Sequence, residues 1–220
     1  MPFSVSAVVQ EISTPKGIRV WFLQDSRSLI ISIKAIFRGR GSVSDSKGKE
    51  GCADLYAAMM LISSHEIRNR MEEIGSYLSF SNTDDVFCVC LTYLKEHQIP
   101  TLQLARLVLI SPTFKQEDLA RVQKHRITAE KQENPTILRE RAVRRAAYPN
   151  HPYARHCIEE SLKSLTKQNL VACRRHLTKD CLLVVIVGAV TTEEAAACVD
   201  QLFGTLPEKS QVTKIPIISH

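Results

Sequence analysis

The sequence predicts an α+β fold, a mainly antiparallel sheet with helices packed on one face. Two observations carry this reading. Runs rich in β-branched residues stand near both ends of the chain, and a block of helical periodicity begins after Pro100 and lies between them. With 220 residues the chain is long enough for one large domain or two small ones, and for a sizeable core. Charges interrupt every long apolar run, so no window reaches the ~18 residues of a membrane-spanning helix. There is no internal repeat and no low-complexity tract.

The elements follow in order. SVSAVVQEI and GIRVWFL, joined by the turn residues TPKG, read as a hairpin, and SLIISIKAIF as a third strand. The Gly-, Ser- and Lys-rich loop RGRGSVSDSKGKEG breaks the pattern. From Glu50 the spacing of Ala53, Ala57, Met60 and Leu61 predicts a helix, and HEIRNRMEEIG a second one ending at Gly75. SYLSFSN and DVFCVCLTYL form a strand pair that turns near Thr83, Asp84 and Asp85. Three helices come next, in TLQLARLVLIS, QEDLARVQKHRITAEKQE and TILRERAVRRAAY, with Pro112 and Pro135 on either side of the second. After the loop PNHPYARH, TKQNLVACRRHL is a helix with Thr166 as N-cap. CLLVVIVGAV is a buried strand, followed by a helix capped by Thr191 or Thr192. The tail LPEKSQVTKIPIISH reads as a linker or frayed end.

Composition narrows the function classes. A net charge of +6 and a pI near 9.0 are mild, and the basic residues are interspersed with acidic ones, which argues against a nucleic-acid partner. The seven cysteines are irregularly spaced and several sit in apolar runs, such as Cys88 and Cys90 in VFCVCL. They read as buried free thiols in preference to disulfides. No CxxC pair exists, which argues against a zinc cluster. The start MPFSVSAVVQEIS lacks a secretory signal, so with free thiols a cytoplasmic location is favoured, and a periplasmic one follows if a leader has been removed. The sequence does not fix the compartment.

One stretch raises a specific question. GCADLYAAMM, Gly51 to Met60, lies inside the first helix and carries no histidine. With GIRVWFLQD, AIFRGRGSVSDSKGKEGCADLYAAMM and MEEIGSYLSFSNTDDVF, then ENPTILRERAVRRAAYPNHPYA, VVIVGAVTTEEA and LFGTLP, it resembles the N-terminal half of a pitrilysin/insulinase-type subunit. These are the inverzincin zinc metallopeptidases that include the mitochondrial processing peptidases. The likeness runs from about Gly17 to Pro207. It implies a single peptidase-like domain over residues 1–207, with 208–220 a linker towards a second domain.

In that family the helix after the glycine loop carries H-x-x-E-H, two histidines that bind zinc and a glutamate that acts as general base. The resemblance puts these positions at Asp54, Ala58 and Ala57 respectively, so the motif is vestigial and no catalytic residue or metal ligand is expected here. The family's third ligand, a later glutamate, falls at Glu130 or Glu133. His65-Glu66 does not restore a site, since Asn69 stands where H-E-x-x-H needs its second histidine.

The resemblance also implies a peptide-binding edge strand at SYLSFSNTDD, through Tyr77, Ser79, Ser81 and Thr83, with the alternative that this is an ordinary edge kept soluble by Ser and Asn. Arg139, Arg141, Arg144 and Arg145 read as a solvated helix face, with Glu140 available to Arg144. Arg38 to Gly41 reads as a tight turn. The function these features imply is a catalytically inactive subunit, no enzyme on its own. It would help form the peptide chamber of a heterodimeric zinc peptidase whose partner carries H-x-x-E-H and the zinc. The alternatives are a structural or assembly subunit of a larger complex and, third, an active zinc metalloendopeptidase with other ligands.

Overall fold

The structure, a computed structural model, describes residues 8–132 and 134–209. The opening hairpin forms from β1 (Gln10–Ser13) and β2 (Arg19–Gln24), antiparallel, with Gly17 at positive φ in its turn. The first strand is shorter than its apolar run suggests. Val8 and Val9 are exposed and lie before it, and residues 4–7 of the run lie outside the described residues. β3 (Ile30–Arg38) pairs along its whole length with β5 (Val86–Leu94), which in turn pairs with β4 (Tyr77–Asn82). β6 (Leu182–Gly188) inserts between β2 and β3, parallel to the first and antiparallel to the second. The result is one six-stranded sheet in the order β1-β2-β6-β3-β5-β4.

Period-2 alternation sorts the sheet's two faces. Val20, Phe22, Ile31, Ile33, Phe37, Val89, Leu91 and Tyr93 point into the core. Trp21, Ser32 and Lys34 on the opposite face stay exposed. Onto the apolar face pack α1 (Cys52–Ser63), α3 (Gln98–Ile110) and α8 (Thr192–Phe203), as predicted. Tyr56 of α1 meets Phe87 with ring centroids 5.3 Å apart, and Phe203 of α8 meets Phe37 at 6.3 Å. Such pairs add roughly 0.5–1.5 kcal/mol each beyond their area. α1 is buried on nearly every side, because Leu55, Tyr56 and Met59 join the expected Ala53, Ala57 and Met60. It is the central helix of the layer, and Asp54 and Ala58 sit on its one partly open flank.

The remaining helices are α2 (His65–Glu73), which ends at Gly75 with φ +66°, α4 (Gln116–Lys131), α5 (Pro135–Ala147), α6 (Glu159–Ser164) and α7 (Lys167–Arg175). α5 starts with Pro135 at its first position, and the Asn134 side chain caps it by accepting from the Thr136 N–H at 2.9 Å. Two expectations need correction. α3 begins at Gln98, two residues before Pro100, since a proline in the first turn lacks only an N–H that the helix leaves unpaired. α6 was not expected, because six residues are too few to show a period. No described helix is long and apolar enough to cross a membrane. From residue 210 the expected linker lies outside the described residues.

Candidate functional site

The site is assembled where the loop after β3 delivers the chain into α1. Gly41 lets that loop press against the β4–β5 turn. The backbone N–H groups of Ser42 and Val43 donate to the carbonyls of Thr83 and Asp84, both at 3.0 Å. A Cβ on Gly41 would stand 2.2 Å from the Thr83 oxygen. Asp45, 6% exposed, then folds back onto the start of α1 and accepts from the N–H groups of Gly51 (2.8 Å) and Ala53 (2.9 Å). Those donors would otherwise be orphaned at the helix start. Burial outweighs them and pushes the Asp45 carboxyl up to about 7.

On the open flank of α1, Asp54 accepts from Arg126 of α4 at 3.2 Å. Burial pushes the Asp54 carboxyl up, with Arg126 acting against it and Glu130 with it. Glu130, one turn beyond Arg126 on α4, faces the same place and is ion-paired to Arg141 of α5. Cys157 donates its S–H to the other Glu130 oxygen at 3.2 Å, and burial, then that hydrogen bond, pushes its thiol up to about 12. His156 is pushed down by burial and by Arg141. Ala57 is buried and Ala58 half-buried, and neither carries a donor atom.

From this cluster a groove of about 460 Å³ runs to the end of β4, with Asp54, Asn82, Thr83, Arg141, Arg144 and His156 in its lining. β4 is the last strand of the sheet, so one of its sides has no strand partner. Arg68 of α2 donates to the Leu78 carbonyl at 3.1 Å. Alternation along the strand then places the backbone groups of Phe80 and Asn82 on the same outer side, beyond that cap. The Asn82 Oδ1 is buried and lacks a hydrogen-bond partner, although it lines the groove. Of the edge residues named from the sequence, Tyr77, Ser81 and Thr83 are exposed and Ser79 is half-buried. A second cavity, of about 480 Å³ and mostly apolar, lies between the sheet, α1, α7 and α8 and shares no residue with the groove.

The solvated face expected for the α5 arginines is a partial correction. Arg141 is tied to Glu130, and Arg144 donates to Asp84 at 2.6 Å across the groove in place of pairing with Glu140. The pattern of α5 shows an amphipathic helix but not which turn will stand opposite it. Arg126, Cys157 and Asn82 also escaped the sequence reading. The one available signal was that Arg126 and Glu130 stand four apart on α4 and so share a face. His65 and Glu66 are exposed on α2, away from this cluster. Glu133, the other candidate for a third ligand, lies outside the described residues.

A zinc site of the peptidase type needs three protein donors around an open position. The residues present do not fit it: of the three ligand positions on α1 and α4, Ala58 has no donor atom, and the carboxylates of the other two, Asp54 and Glu130, are engaged by Arg126 and Arg141; the base position, Ala57, is likewise without a donor. Among the described residues no three His, Cys, Asp or Glu side chains group as a metal site would require.

No family model and no curated protein matches the sequence. Solved structures match in fold. The inactive domain of a peptidase M16 from Pseudomonas fluorescens is 24% identical, with a TM-score of 0.85 over 95% of this chain and 53% of that one. The periplasmic protease PqqL from Escherichia coli is 13% identical, with a TM-score of 0.78 over 96% of this chain and 26% of that one. Pitrilysin is 18% identical, with a TM-score of 0.74 over 98% and 24%. The fold is that of the pitrilysin-type (M16) peptidase domain, as the sequence resemblance implied. The chain spans about half of the Pseudomonas structure and about a quarter of pitrilysin.

Proposed function

We propose that this chain is a catalytically inactive peptidase-like domain that forms one wall of a peptide-binding chamber. A partner carrying H-x-x-E-H supplies the zinc and the general base, so this chain itself needs no cofactor. The observation that supports this best is the joint state of α1 and its surroundings. The motif positions read Asp54, Ala57 and Ala58, and Arg126 and Arg141 engage the two carboxylates. The groove beside them nevertheless reaches the outer side of β4, where an extended peptide can add as a strand through backbone hydrogen bonds. The unpartnered Asn82 Oδ1 is an acceptor suited to a peptide N–H.

A structural subunit without any peptidase role is the second reading. The specific feature in its favour is the open face of the sheet, where Trp21 is 45% exposed and no described helix packs. Purification of the tagged chain from its own cells separates the two. The proposed function expects one stoichiometric companion chain containing H-x-x-E-H, with chelator-sensitive peptide cleavage by the pair and none by this chain alone. Recovery in a large assembly that lacks any such chain, or zinc-dependent cleavage by the isolated chain, overturns it.

A further inference from the structure

Cysteines stand in α1, β5, α7 and α8, but one juxtaposition stands apart. Cys52 opens α1 and Cys173 lies in the last turns of α7, 121 residues later, with their sulfurs 2.9 Å apart. Ordinary non-bonded heavy atoms rest at roughly 3.5–4.0 Å, so the two thiols are pressed together. Other cysteines face different groups: Cys157 meets Glu130, Cys181 the Thr178 carbonyl at 3.1 Å and Cys198 the Tyr93 hydroxyl at 3.8 Å. Cys88 and Cys90 alternate along one strand face.

The surroundings favour reaction at this pair. Cys52 is buried, whereas Cys173 is partly exposed and lines a small recess with Arg40 and His176. The Arg40 Nε is itself buried without a partner. The thiolate is the form of cysteine that attacks a disulfide, and the Arg40 guanidinium stands in the recess where such an oxidant would meet Cys173. Cys52, held protonated by its hydrogen bond with Cys173 and then by burial, is placed to follow as the resolving thiol.

We propose that Cys52 and Cys173 are a site of reversible oxidation, at which a small-molecule disulfide converts the thiol pair into an intramolecular disulfide joining the first turn of α1 to α7. The Cys173 thiolate attacks one sulfur of the oxidant, here oxidised glutathione. That step forms a mixed disulfide and expels one glutathione thiolate, which takes up the proton Cys173 lost. Cys52 then gives its proton to solvent and attacks the Cys173 sulfur, and the second glutathione leaves as thiolate. Two protein thiols are oxidised and one glutathione disulfide is reduced to two thiols. The product clamps the helix that carries Asp54, Ala57 and Ala58, and closes a long loop in the unfolded chain.

The test uses the full chain, reduced and freed of reductant, then incubated with oxidised glutathione, alkylated and mapped by mass spectrometry. Five of the seven thiols are expected to alkylate, with Cys52 and Cys173 recovered in one crosslinked peptide and no retained glutathione. The melting temperature should rise by about 10 °C and fall back with dithiothreitol. In Cys52→Ser, glutathione should remain on Cys173 and the rise should vanish. Alkylation of all seven thiols in the treated wild type, a bridge between any other pair, or stable glutathione on both Cys52 and Cys173 would overturn the proposal.

Discussion

Placing the zinc motif back on α1, as Asp54→His, Ala57→Glu and Ala58→His, should yield a poor metal site, and the structure says how poor. Two histidines four apart would share the flank that faces α4, where Glu130 is the one of the two candidate third ligands that lies among the described residues. Glu130 is not free: its carboxylate is ion-paired with Arg141, and each side chain is only 24% exposed. Zinc must break that charge-assisted pair before it can use the carboxylate. A half-buried pair of this kind is worth about 1–3 kcal/mol, which weakens zinc binding by roughly 5- to 150-fold. Adding Arg141→Met to the triple variant should therefore recover about that factor. Arg126→Met should recover less, because the Arg126–Asp54 pair it removes is about 40% exposed on each side and its acid is already replaced. Competition against a chromophoric zinc chelator measures both affinities at one pH. If the triple variant binds zinc as tightly with Arg141 as without it, the argument that arginine has closed this site fails.

Two further outcomes follow from the loop before α1. Burial raises the Asp45 carboxyl from 3.8 to about 7, so the folded state favours its protonated form. The contribution is then fully present below pH 4 and is lost as pH rises through about 7, a change of about 4 kcal/mol that Asp45→Asn, which does not titrate and keeps one of the two acceptor oxygens, should not show. Urea unfolding of both proteins from pH 4 to 8 measures it, and parallel pH profiles would refute the assignment. Gly41→Ala should lower stability by about 1–3 kcal/mol and weaken any peptide binding in the groove, because the added Cβ lies 2.2 Å and 2.4 Å from two backbone oxygens of the β4–β5 turn. An unchanged urea midpoint would show that the turn can withdraw without cost.

Much of the fold was legible because its signals are local. The hairpin, the β4–β5 turn and the α8 cap, where Thr191 accepts from the Glu194 N–H at 3.2 Å and Glu194 from the Thr191 N–H at 2.9 Å, are each written within a few residues. α6 and the start of α3 were missed, the one for shortness and the other because proline punctuates less firmly in a first turn than inside a helix. For the site, the absence of histidine at positions 54 and 58, where the resemblance puts the family's ligands, was plain once the helix was placed. The replacement was not. That Arg126 answers Asp54 and Arg141 answers Glu130 depends on how α4 and α5 lie against α1, and no spacing along the chain encodes a partner 72 residues away. The pairing of Arg144 with Asp84 was hidden in the same way, since a nearer acid at Glu140 offered the local choice.

The place of β6 in the sheet sets the order in which the molecule can be completed. The hairpin of β1 and β2 is made within the first two dozen residues, yet it reaches β3 only through β6, which is not synthesised until residue 182. Until then a newborn chain carries two separate ribbons, and the sides of β2 and β3 that β6 will occupy are bare backbone ready to pair with any strand that arrives. Such a chain is slow by topology, because its joining contacts span most of its length. A ribosome stalled or a protease acting just ahead of Leu182 would therefore leave an adhesive fragment, and β6, the last of the described strands, is the one that covers the facing sides of β2 and β3 together.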